Sequence, residues 1–382
     1  MKLVVPMFSG YYSRVLNTHI MYGIVESALR AGVTNLHVVP TGEGYEIHSR
    51  YLDCRLKNQE DLEGEGCKLL LEGLRDALEE IIMTHYAMGF RSKKFNNVIL
   101  SNTVISNGAF IDPPQNVQRY YRELEAILNN LDIKSLKSTK SLIDKKVLRA
   151  PQQLDPTLNQ WLSFYKQEEG ISRITNLEYA LAWVGFYYYS SVHKFKRGSS
   201  QIVEIIQYPP NEEVEMWELL LIKDLATKIV QGNDFHWKIS SEYGLLKTLL
   251  LTELPPSTEE VPGLSKFTVV IYGQESQQGK GWRIFRTLEL PVVWDFIGYL
   301  KARAFYETMK FVKILNKLER TIKESQEDIL REISHQLYSA LTNRDEMGFY
   351  SAFRVLKRAG YPLDPELVNA IAQYLSEREV IR

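Results

Sequence analysis

The sequence has very little cysteine, no long apolar run and almost no net charge. Each shortage closes off a class of function. Cys54 and Cys67 are the only cysteines in 382 residues, too few for a thiolate metal set or a disulfide framework, which fits a reducing cytosol. The most apolar stretch, Tyr179 to Tyr189, falls short of the roughly 20 residues that cross a bilayer. The opening Met1-Lys2-Leu3-Val4-Val5-Pro6 has too short an apolar run for a secretory signal. These features lead us to expect a cytoplasmic protein with no membrane contact. The formal net charge of −1 excludes a chain that coats nucleic acid through its overall field, so phosphate binding must come from local patches.

Enzyme signatures are also missing. A P-loop needs Gly, four residues, then Gly-Lys-Ser/Thr, so that backbone amides wrap the phosphates. The nearest match, Gly273 to Gly279-Lys280-Gly281, has five intervening residues and a glycine where the magnesium-binding hydroxyl belongs. There is no Gly-x-Ser-x-Gly elbow and no His-Glu-x-x-His pair. The seven histidines are scattered, and none is adjacent to an aspartate. One nuclease-like pattern survives: Asp132 and Asp144 are suited to hold magnesium while Lys146 orients water. The segment is lysine-rich and loop-like or helical, whereas such chemistry normally sits on paired strands. A magnesium-dependent nuclease is therefore the alternative reading.

What is present is a chain with 45% hydrophobic residues, enough to bury a sizeable core, and a periodicity that predicts an α+β protein. Residues 1–110 read as an N-terminal α/β domain. Leu3–Phe8 is a strand candidate, and Leu16–Ala31 a helix with Ile20, Ile24, Ala28 and Ala31 on one face, stopped by Gly32. Val33–Val39 and Gly44–Tyr51 form a hairpin pattern, Leu62–Met88 a long helix and Asn97–Ile105 another strand.

Residues 111–291 read as a mixed, mainly helical middle domain with short strands. Asp112-Pro113-Pro114 starts one helix and Asn211-Glu212-Glu213 another. Gln201–Gln207 is a strand set between helices, and residues 254–265 are the clearest linker. Phe267–Gln274 and Trp282–Leu290 read as paired strands. Residues 292–382 suggest a C-terminal helical bundle of about four helices.

Several segments combine cations with groups that contact bases. Arg91, Lys93 and Lys94 can grip a phosphate backbone, and Asn96, Asn97, Asn102 and Asn107 carry amides that both donate and accept. Each asparagine alone is better explained without a ligand, Asn107-Gly108 being a plain turn signal, and the cluster carries more weight than its members. Lys134, Lys137, Lys140, Lys145, Lys146 and Arg149 face Asp144 as the one acid between them. A surplus of this kind attracts phosphates, or belongs to a solvated loop; Lys137, Lys140, Lys145 and Lys146 are the RNA-binding candidates. Residues 186–197 place aromatics beside Lys194, Lys196 and Arg197, which suits stacking plus phosphate contact. Tyr187, Tyr188 and Tyr189 on a helix point about 100° apart, so one or two of them belong to the core. Arg303, Lys310, Lys313, Lys317 and Arg320 recur at spacings of 7, 3, 4 and 3, which aligns them on one helix face. Glu307 sits in the same stripe, as on a salt-bridged solvent face. Lys280 and Arg283 add a weaker candidate.

Two segments resemble a known family. One is Asn17-Thr-His-Ile-Met-Tyr-Gly-Ile-Val-Glu-Ser-Ala-Leu-Arg-Ala-Gly32, followed by Val-Thr-Asn-Leu-His-Val-Val and Gly-Glu-Gly-Tyr-Glu-Ile. This helix-then-hairpin opening is similar to that of the large subunits of type I CRISPR surveillance complexes (Cascade). The other, Asn343-Arg-Asp-Glu-Met-Gly-Phe-Tyr-Ser-Ala-Phe-Arg-Val-Leu-Lys-Arg-Ala-Gly-Tyr-Pro362, resembles the closing helices of the archaeal type I-A member. The resemblance covers the first ~50 and last ~40 residues by pattern. It implies a non-catalytic subunit without a cofactor that recognises the PAM in target double-stranded DNA, helps open the duplex and recruits a helicase-nuclease. It also implies partners: crRNA and the backbone, handle-binding and small subunits. The family's PAM-reading residues have no individual match here, so the 96–107 asparagines, with Lys93 and Lys94 beside them, are an independent assignment.

Overall fold

In the computed structural model the described residues are 2–6, 14–42, 44–50, 52, 54, 62, 64–87, 114–131, 141–143, 145–146, 174–197, 200–231, 263–274, 283–292, 296, 298–299, 327–358 and 365–377. They form an α+β protein built around one helix. That helix, α1 (Arg14–Arg30), follows strand β1 (Lys2–Pro6). Every residue of α1 from Val15 to Ala28 is buried, the mark of a helix surrounded by protein on all sides. Gly32, with φ of 81°, ends the turn beyond it in the left-handed conformation that favours glycine.

Strands β2 (His37–Thr41) and β3 (Gly44–His48) form the expected hairpin. Its register pairs Thr41 with Gly44, whose φ of 135° is open to glycine alone. The first sheet runs in the order β1-β3-β2-β8, all antiparallel. Its last strand, β8 (Val214–Glu215), comes from far along the chain, so pairing crosses the sequence position of residue 110.

Helix α2 (Glu65–Ala87) packs against α1, and α3 (Pro114–Asn130) packs against α2. A two-residue pair, β4 (Lys145–Lys146) with β5 (Ile174–Thr175), leads into α4 (Asn176–Tyr189). A capping box starts α4. Thr175 Oγ1 accepts from Glu178 N at 3.1 Å, and Glu178 Oε2 accepts from Thr175 N at 2.6 Å. Tyr188 and Tyr189 are buried and Tyr187 is half-buried, which agrees with a core role for some of the three.

The second sheet has the order β10-β9-β7-β6, also antiparallel. It comprises β6 (Ser190–Arg197), β7 (Ser200–Gln207), β9 (Lys266–Gln274) and β10 (Arg283–Pro291). Two expectations need correction. The Gln201–Gln207 strand does not lie between helices, because residues 190–197 make their own strand and pair with it. The helix expected at Asn211-Glu212-Glu213 begins instead at Met216, as α5 (Met216–Gln231). Val214 and Glu215 are taken by β2 first, and Glu218 Oε2 then accepts from Glu215 N at 2.8 Å.

The chain closes with α6 (Glu327–Asn343), α7 (Glu346–Arg358) and α8 (Pro365–Glu377). Arg344, with φ of 55°, turns α6 into α7. Phe349, Phe353, Leu356, Ile371 and Tyr374 are buried in this bundle. Tyr338 of α6 donates to the Pro291 carbonyl, joining the bundle to the second sheet.

The cysteines are a further correction. Cys54 and Cys67 are 2% and 0% exposed and form a disulfide, with Cα atoms 4.6 Å apart. Counting cysteines could not reveal this, because two cysteines pair only where the fold brings their Cα atoms to bridging distance. The bond closes a loop with a sequence separation of 13, a length at which cross-linking stabilises by about 3 kcal/mol. Cys67→Ser, or reduction, is expected to lower the melting temperature measured by calorimetry. An unchanged transition would show that the bond carries no stability.

Glycines permit the closest helix approaches. A methyl at Gly23 would fall on the Leu181 carbonyl, one at Gly185 on the His19 carbonyl and one at Gly73 on the Ser27 carbonyl. Gly185→Ala is expected to destabilise by roughly 1–3 kcal/mol or more in chemical denaturation. Gly42→Ala, where an added Cβ meets no atom within 4 Å, is expected to stay within about 0.5 kcal/mol of the parent.

Candidate nucleic-acid interface

Only some of the expected contact residues fall within the described structure. Lys145 and Lys146 form β4, paired with Thr175 and Ile174 at the entry to α4. Lys194, Lys196 and Arg197 lie on β6, opposite Val203, Gln201 and Ser200. β6 is an edge strand of the second sheet. Arg91, Lys93, Lys94, Asn96, Asn97, Asn102, Asn107, Lys137, Lys140, Lys280, Arg303, Lys310, Lys313, Lys317 and Arg320 lie outside the described residues, as do Asp132 and Asp144.

The charged side chains divide into two groups by environment. In the first, the charges serve the core. The Glu26 carboxylate of α1 is 1% exposed and meets Arg30 Nε at 2.8 Å and Lys223 Nζ at 2.8 Å. The Tyr189 hydroxyl donates to it at 3.3 Å. Arg30 continues to Glu80 of α2 at 2.6 Å. Both cations also lie over the Tyr188 ring, at 4.9 and 5.0 Å. Burial, then the nearby Glu26 charge, holds the Tyr189 hydroxyl protonated far above its ordinary value. These groups are matched with one another and leave no charge for a ligand.

The second group faces outward on α7. Phe349, Ala352, Phe353 and Leu356 point into the bundle, so the opposite face is presented to solvent. It carries Met347 at 71% exposure and Tyr350 at 39%, followed by exposed Arg354, Lys357 and Arg358. Tyr350, Arg354 and Lys357 follow spacings of four and three and lie along one stripe. None of these three cations has an ion pair among the described residues. Lys357 and Arg358 in the last turn also complement the helix dipole. A tyrosine and three unpaired cations suit a single strand, with phosphates on the cations and a base on the ring. Sequence inspection missed this stripe because the segment was read only for its likeness to the family's closing helices. The signal that would have found it is the absence of acids from positions 350–358.

Comparison with known proteins adds to the geometry. A family model described as CRISPR-associated protein (Cas_Csa4) matches residues 6–378. The CRISPR-associated protein Cas8a2/Csa4 of Methanocaldococcus jannaschii is 31% identical over 313 residues, spanning 79% of this chain and 77% of the relative.

Replacing Arg354, Lys357 and Arg358 together by glutamine is expected to leave the thermal transition nearly unchanged, since all three are solvent-facing. Titration of labelled single-stranded DNA over a salt series should then show weaker binding and a shallower salt slope, by about 0.7 for each phosphate no longer neutralised. An unchanged slope would remove α7 from the interface.

Proposed function

The chain belongs to the Cas_Csa4 family of CRISPR-associated proteins, the large subunits of type I-A Cascade, and from that premise we propose that it recognises the PAM in target DNA. In this reading it is a non-catalytic, cytoplasmic subunit. It helps open the duplex beside the PAM and recruits the helicase-nuclease. Its partners are crRNA, target double-stranded DNA and the backbone, handle-binding and small subunits. Sequence specificity over the rest of the target is delegated to guide pairing, so the protein needs to read only a short duplex element.

The observation that carries the reading is the unpaired cation-and-tyrosine face of α7 in a chain whose net charge is −1. Concentrating cations in one place lets a balanced protein hold nucleic acid without coating it indiscriminately. The three-part division at residues 110 and 291 belongs to the same proposal, with the N-terminal part reading DNA and the C-terminal bundle lying along a strand.

Asn102 and Asn107 are the proposed base readers, with Arg91, Lys93 and Lys94 as backbone grips. In a complex reconstituted with crRNA, Asn102→Ala and Asn107→Ala should each cut affinity for PAM-bearing duplex about tenfold. Assembly on the guide RNA and binding to PAM-less duplex should stay intact. If both variants keep the full PAM preference, these asparagines are not the readers.

A further inference from the structure

The start of α5 carries an apolar patch with an acidic rim. Trp217 is 37% exposed and Leu220 is 45% exposed. Three positions apart, they stand side by side on one face of the helix. The inward face is a different set, with Leu219, Ile222, Leu225 and Ala226 all buried. A lone exposed leucine is ordinary, but a tryptophan beside it at the surface calls for a reason.

The patch is held in place before anything binds. Glu218 is 2% exposed, and its carboxylate accepts from the backbone amides of Glu215 at 2.8 Å and Gly263 at 3.1 Å. The first turn of α5 is thereby tied to Gly263. The Trp217 indole N–H donates to Glu215 Oε2 at 3.2 Å, which pins the ring and leaves it partly exposed. A side chain already ordered loses little freedom on association.

Charge around the patch is of one sign. Glu212, Glu213 and Glu215 are exposed, and positions 211–222 hold no lysine or arginine. Glu213 meets His37 at 3.6 Å. Glu212 and Glu215 have no ion pair among the described residues. The next cation along the helix, Lys223, is held by Glu26 at 2.8 Å. Such a rim repels phosphates and attracts cations. A buried tryptophan is among the anchors that carry most of the binding energy between proteins.

We propose that the start of α5 docks a partner subunit of the complex through a lysine- or arginine-bearing segment. An apolar side chain of that segment seats against Trp217 and Leu220, and its cations meet Glu212 and Glu215. The proposal rests on the subunit role given above and is independent of PAM reading. It divides the surface by charge, with acidic α5 for protein and cationic α7 for nucleic acid.

The test adds the full-length chain to a complex assembled on crRNA from the backbone, handle-binding and small subunits, and reads affinity by biolayer interferometry. Leu220→Glu is expected to weaken association about tenfold. Its thermal transition should stay near the parent's, because Leu220 is exposed. The second variant combines Glu212→Lys with Glu213→Lys and disturbs no core contact. It should weaken association by a similar factor, through like charges brought together. Should Leu220→Glu melt early, the double variant decides alone. Full-strength association of a folded variant overturns the proposal. Tighter association of the double variant also overturns it, because nucleic acid then lies at this face. If the parent self-associates in sedimentation and the variants turn monomeric while still joining the complex at full strength, the occupant is a second copy and the proposal fails. Loss of assembly here, with PAM preference intact in Asn102→Ala and Asn107→Ala, keeps the docking face and removes those asparagines as readers. A parent chain that joins no partner subunit overturns both the docking face and the subunit reading.

Discussion

The fold depends on a helix that has no solvent face. α1 is enclosed by α4, α2 and both sheets. It reaches that position because glycines at its two main crossings let backbones touch. Gly23 and Gly185 face each other's helices at carbonyl distance, and Gly73 does the same for α2. A side chain at any of the three would push apart elements that share no other route to close contact. Around these crossings the aromatic groups interlock. Tyr22 stacks on Tyr189 at 4.4 Å, and Phe186 meets His19 edge-on at 5.4 Å.

Burying a whole helix also buries its polar side chains, and the structure answers nearly all of them. Tyr22 donates to the Tyr208 carbonyl and Gln207 donates to the Val15 carbonyl, which tie α1 to the end of β7. Glu26 is the costliest group, since a carboxylate removed from water must be matched closely. Removing one partner of such a buried pair typically costs on the order of 3–5 kcal/mol. Lys223 and Arg30 supply the match from α5 and from one turn along α1. The same network therefore fixes how α5 sits on α1, and with it the position of β8 at the edge of the first sheet. The buried amide of Asn17, with no hydrogen-bond partner among the described residues, is an exception.

The charges also show how a nearly neutral chain keeps cations for a ligand. Arg30 and Lys223 are held by Glu26 and the Tyr188 ring, whereas Arg354, Lys357 and Arg358 lie on a helix whose inner face is aromatic and whose outer face has no acid after Glu346. Composition cannot separate these two populations, because both count equally toward the net charge. Burial separates them.

Local order was legible in the sequence wherever a single period governs a segment. The α1, α2 and α3 helices, the β2–β3 hairpin, the glycine stop at Gly32 and the β9–β10 pair all follow from spacing and turn chemistry over a few residues. The family resemblance rested on the same local patterns at the two ends of the chain. Tertiary structure decided the rest. β6 became a strand because β7 was there to pair with it, and Val214-Glu215 joined β2 before α5 began. Cys54 met Cys67 because the fold brings their Cα atoms to 4.6 Å. The outward face of α7 and the exposed start of α5 likewise appear only once their neighbours are in place. The physical reason is range. Backbone preferences act over one or two turns, but which side chains end up matched, exposed or left idle depends on contacts between residues more than a hundred positions apart, such as Glu26 with Lys223.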